Sequence, residues 1–136
     1  MRKVLFTIGV VTLLAGALWC ARAWNTLKVN ARTTKFNEDV ENLFIGLQKF
    51  KETVGAYPMG SNADVVKALA GHNSKNVIIL VGRKTEVNEK GEYVDPWGTP
   101  LRIYFSDNGV LVRSAGPNRR FDDSTSLEFD DFVRSN

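Results

Sequence analysis

Asp95-Pro96-Trp97-Gly98-Thr99-Pro100, followed at once by Leu101-Arg102-Ile103-Tyr104-Phe105-Ser106-Asp107-Asn108-Gly109-Val110-Leu111-Val112-Arg113, decides the fold. The second stretch holds two runs of β-branched and aromatic residues around an Asn-Gly pair, which predicts two antiparallel strands joined by a tight turn. The first cannot be a central strand. Its two prolines remove ladder donors and Gly98 invites a positive φ, so it reads as a rigid turn feeding the hairpin. Trp97 in that turn is either a core anchor or an exposed contact, and its large apolar area favours the anchor.

Upstream of the hairpin the chain changes periodicity. Phe36, Val40, Leu43, Phe44, Leu47, Phe50 and Val54 recur at the spacing of one buried helix face. From Trp24 to Thr53 there is no proline and a single glycine, Gly46, so one continuous helix is expected. Gly55 and Pro58 end it. Ala63 to Ala70 reads as a short second helix with Ser61 or Asn62 as its cap. Val77-Ile78-Ile79-Leu80-Val81 is an apolar run that fits either a buried strand or an extended segment lying on the domain. The fold class is therefore α+β, with a long N-terminal helix packed on a small antiparallel sheet.

Val4 to Ala21 carries no charge and is bounded by Arg2, Lys3 and Arg22. At a helical rise its roughly 18 residues reach about 27 Å, close to a bilayer core. Trp19 and Trp24 suit a headgroup interface. The expected organisation is an anchor over 1–23, an amphipathic stalk over 24–54 and a globular domain over 55–136. Arg22, Lys28, Arg32 and Lys35 would lie against anionic lipid headgroups. Two rival readings place the domain in the same compartment: a signal peptide cleaved at Ala21-Arg22-Ala23, and a lipid attached to Cys20.

The 136 residues and a net charge of +3 fit one soluble domain beyond the apolar segment. Basic residues are interspersed with acids, which argues against nucleic-acid binding. Cys20 is the only cysteine, so no internal disulfide can form, and the only histidine, His72, sits in a polar turn. No phosphate loop, metal-histidine motif or nucleophile elbow is present, and Asp95, Asp107 and Glu92 are explained by capping and solvation in turns. An enzyme is not expected. The loop from Gly116 to Asp123 does gather hard oxygen donors of the kind calcium prefers. Arg119 and Arg120 offer an alternative, pairing with the aspartates in place of a metal.

The apolar helix running into an amphipathic one, Gly55-Ala56-Tyr57-Pro58, the Asp95–Pro100 turn before a strand pair, and Ser114-Ala115-Gly116-Pro117 opening an acidic loop together resemble the G-type major pseudopilin of type II secretion, a pilin-like family. The resemblance covers most of the chain. It implies a structural subunit of a type II secretion or type IV pilus-like assembly, anchored in the bacterial inner membrane by a single pass with its domain in the periplasm. It also implies partners among secretion-system membrane proteins and copies of the chain itself. Residues Asn118, Asp122 and Asp123 align with the family's calcium loop, and Gly9, Gly16, Phe36 and Val40 are candidates for packing between helices. The chain departs from the family at the processing site: Leu5 stands where the family has glycine, and Val10 where it has the glutamate used in assembly. That departure leaves room for a second function, a membrane-tethered binding module that does not polymerise.

Overall fold

The computed structural model describes residues 2–107, 109–122 and 130–136, with side chains from Gly16 onward. The elements are helix α1 (Arg2–Val54), helix α2 (Asn62–Leu69) and strands β1 (Arg102–Ser106), β2 (Gly109–Ser114) and β3 (Phe132–Ser135). The chain divides into two compact units, Met1–Thr33 and Thr34–Asn136. The boundary falls inside α1, because the stripe that begins at Phe36 belongs to the core of the second unit.

In the first unit the described side chains from Gly16 to Arg32 are all exposed, among them Leu18, Trp19, Trp24 and Leu27. Lys28 lies over the Trp24 ring, 5.5 Å from its centre. Among the described residues no helix is long and apolar enough to cross a membrane. Most of the expected anchor, residues 4–15, lies outside the described side chains.

The second unit is built on the helical stripe read from the sequence. Phe36, Val40, Leu43, Phe44, Leu47 and Phe50 are buried against Val65 and Leu69 of α2 and against Tyr93, Trp97, Leu101, Val110 and Val112. Each large apolar side chain so covered contributes roughly 1.5–3 kcal/mol. The helix stops after Val54, where the Gly55 N–H closes on the Lys51 carbonyl at 2.8 Å. Ser61 caps α2 in a reciprocal box with Asp64, whose carboxyl is held below its ordinary range by the Ser61 hydroxyl and backbone N–H. Asn62 does not cap. It reaches across to donate to the carbonyls of Tyr93 and Leu101 at 2.9 and 2.8 Å, and accepts from the Tyr93 N–H at 2.7 Å.

The sheet is antiparallel in the order β1-β2-β3, so β2 is central. The hairpin pairs Ser106 with Gly109 at its tip, as its sequence predicts. Burial alternates along β2: Val110, Val112 and Ser114 face the core and Leu111 and Arg113 face away. The third strand has no clear signal in the sequence, and its Phe132 closes the core by stacking on Trp97 (5.4 Å, 6°) and leaning on Phe36 at 5.6 Å. The run from Val77 to Val81 forms no strand. Ile79 and Leu80 are partly covered, while Ile78 and Val81 remain exposed.

The turn before β1 is fixed by a buried carboxylate. Asp95 is 3% exposed. Its Oδ1 accepts from the Trp97 and Thr99 N–H groups at 3.0 and 2.8 Å, and its Oδ2 accepts from the Ser114 hydroxyl at 2.7 Å. Capping is therefore correct for Asp95 and solvation is not. Asp95→Ala would strand three donors at once, so urea denaturation should show a loss of about 3 kcal/mol, against less than about 0.5 kcal/mol for the exposed Asp107→Ala.

Candidate functional site

The loop after β2 returns to the start of β3, and three carboxylates meet there. Asp122, Asp130 and Asp131 each place one oxygen within 4.8 Å of the others. The meeting is enforced by Gly116, whose φ of +66° is a left-handed value and whose missing side chain is required: a Cβ there would strike the Asp130 carbonyl oxygen. Ser114 positions that glycine as well, accepting from its N–H at 3.0 Å while donating to Asp95.

The cluster is held by amide donors. Asn118 donates its backbone N–H to Asp130 Oδ2 and its side-chain Nδ2 to Asp122 Oδ2, both at 3.1 Å. The Asp122 N–H reaches Asp131 Oδ1 at 3.2 Å, and the Asp130 N–H reaches Asp122 Oδ2 at 3.3 Å. Arg113 supplies the positive charge. It pairs with Asp131, whose side chain is fully covered, and donates to the Asp122 carbonyl. Phe121 sits under Arg102, with the guanidinium 3.9 Å from the ring centre, and 5.5 Å from that of Arg113.

One oxygen is left over. Asp130 Oδ1 is buried without a hydrogen-bond partner among the described residues. Partial burial and the neighbouring Asp122 and Asp131 carboxylates push the Asp130 carboxyl above its ordinary value, although the Asn118 N–H opposes them. Three carboxylates drawn together beside Arg113, with an oxygen unpartnered among the described residues, can hold a divalent cation.

The sequence placed Asn118, Asp122 and Asp123 in this site. The first two are brought together, and Asp123 lies outside the described residues. The arginine that enters the cluster is Arg113 from β2, whereas Arg119 and Arg120 make no ion pair among the described residues. Arg113 carried no local signal, since it joins the loop only through the pairing of β2 with β3. Of the residues expected to pack between helices, Phe36 and Val40 are each 1% exposed inside their own unit. Gly16 is exposed, and a Cβ added to it would meet nothing within 4 Å, while the side-chain position of Gly9 lies outside the described residues.

Comparison with protein-family models, with curated proteins and with solved structures finds no match to the chain.

Because Asp130 binds its proton more tightly folded than unfolded, its ionisation weakens the fold as pH rises from about 3.8 through its raised native value. In chelator, Asp130→Asn should remove this component, so the variant should gain on the parent chain at pH 7 and lose that gain below pH 4. Thermal unfolding at both pH values measures it.

Proposed function

We propose that the chain is a pseudopilin-like structural subunit of a type II secretion or type IV pilus-like assembly that supports protein export. It would sit in the bacterial inner membrane by one pass, with its domain in the periplasm. The observation that carries this reading is the pilin-like layout: one long N-terminal helix whose C-terminal stripe is buried on a three-stranded antiparallel sheet. The exposed Leu18, Trp19, Trp24 and Leu27 support it, since unpartnered apolar side chains on a helix fit a lipid interface or a neighbouring helix. The partners would be copies of the chain and membrane proteins of the secretion machinery.

The second reading is a membrane-tethered binding module that does not polymerise. Leu5 and Val10 favour it, because they stand where the resembled family has the glycine and glutamate of processing and assembly. Without that carboxylate, helix association would rest on close contacts at small residues such as Gly9 and Gly16.

In either reading the acidic cluster takes calcium, with Asp122, Asp130 and Asp131 as oxygen donors and Asn118 beside them. Calcium at ten times its dissociation constant adds about 1.4 kcal/mol, several degrees in a domain of this size. Unfolding in calcium and in chelator should differ by that amount for the parent chain and coincide for Asp130→Asn. Coincidence in the parent chain would exclude the metal.

The two readings separate by oxidative crosslinking in native membranes. Leu27→Cys in a Cys20→Ala background should give self-crosslinked multimers if subunits pack through their helices, as a filament requires. A single heteromeric product would support the tethered module. Intact-mass analysis of the same membranes should also place the mature N-terminus, and a start at Phe6 would mean prepilin-type processing despite Leu5.

A further inference from the structure

Beside the stripe that faces the core, α1 and the segment 79–83 border a groove of about 460 Å3, with Leu43, Ile45, Gly46, Leu80, Tyr93 and Arg83 among its walls. Gly46 permits the close approach of Leu80, whose Cδ2 would lie 3.1 Å from a Cβ at that position. The size and apolar lining are those of a binding site, and three further features say what it would bind.

The first is a donor without an acceptor. Tyr93 is 6% exposed and its hydroxyl is buried with no partner among the described residues, a costly arrangement unless something else accepts its hydrogen. Burial pushes that hydroxyl up to about 12, with Glu86 adding to the effect, so it is a neutral donor at any ordinary pH.

The second is backbone. The N–H groups of Ile79 and Leu80 both go to the Leu69 carbonyl, at 2.9 and 3.1 Å. The N–H groups of Val81 and Gly82, and the carbonyls from Ile78 to Gly82, make no hydrogen bond among the described residues. These free groups adjoin the exposed apolar side chains of Ile45, Ile78 and Val81. Unpaired backbone beside exposed apolar residues is the surface to which an added strand pairs.

The third is charge. The Arg83 and Lys49 side chains are 66% and 67% exposed, whereas those of Asp39 and Glu86, which pair with Arg83, are each 15% exposed. Lys49 is also 3.7 Å from Glu52, which lies outside the groove. The groove's charges balance in number, and the two cations are the ones whose side chains stand out into solvent.

We propose that this groove binds an extended apolar peptide segment with an acidic flank. Its backbone pairs with Val81 and Gly82, one of its carbonyls accepts from the Tyr93 hydroxyl, and its acids face Arg83 and Lys49. A fatty acid would fill the same apolar space but would leave the backbone groups of residues 78–82 unpaired. The peptide answers all three features and the lipid only two. Binding of this kind does not depend on assembly into a filament.

The test uses the full chain in lipid nanodiscs and a capped peptide of alternating valine and threonine with two aspartates at one end. At saturation, amide exchange at Val81 and Gly82 should slow about tenfold or more. Val81→Pro, which removes one exposed donor, should abolish binding. Tyr93→Phe should weaken binding about fivefold, the effect of one hydrogen bond. Its unfolding temperature should stay the same or rise, because the hydroxyl has no partner among the described residues. Full affinity in Tyr93→Phe, no protection by the peptide, or equal protection by octanoate would each overturn the proposal.

Discussion

A carboxylate at 3% exposure ties the turn before β1 to the end of the central strand. Asp95 gathers two backbone N–H groups of its own turn and the hydroxyl of Ser114 at the end of the central strand. A buried anion is tolerable only when donors replace its water, and this one is supplied from two separate parts of the chain. The turn therefore cannot rotate without releasing the strand end. Trp97 owes its position to that constraint, Phe132 stacks on Trp97, and Phe132 leans in turn on Phe36 of α1. The same Ser114 hydroxyl accepts from Gly116, which carries the constraint from the turn into the acidic loop.

Much of this was legible because it is local. The stripe from Phe36 to Phe50 needs only a 3.6-residue period, and the hairpin needs only alternation and an Asn-Gly pair. The rigid turn and its buried tryptophan follow from two prolines and a large apolar ring. The parts that could not be read depend on pairing at long range. β3 is four residues long and half polar, so its strand character comes from β2 rather than from its own propensity. Asn62 looked like a cap, yet it serves Tyr93 and Leu101, residues more than thirty positions away.

The acidic site divides along the same line. The run of oxygen donors after Gly116 was visible in sequence, and Asn118 and Asp122 do meet there. Arg119 and Arg120, adjacent in the chain, are the arginines the sequence offers as an alternative to a metal, and they make no ion pair among the described residues. In space Arg113 is the one that reaches Asp131, since the outward face of β2 turns its guanidinium toward the loop that β3 closes. Val77 to Val81 was ambiguous for a related reason. Apolar content alone does not distinguish a paired strand from a segment whose backbone is left open, and here the Leu69 carbonyl claims only two of its N–H groups.

The contact between Phe36 and Phe132 joins residues 96 positions apart, by subtraction of their numbers. Long loops close slowly, and non-local pairings dominate the time a small domain needs to fold. The first helix can form as soon as it is made, but its apolar stripe has no complete partner until β3 arrives. A chain emerging from a ribosome or a translocation channel would therefore expose Phe36 and Trp97 through most of its passage and cover them in a final step. Closure of the core therefore waits on β3, the element farthest along the sequence from α1.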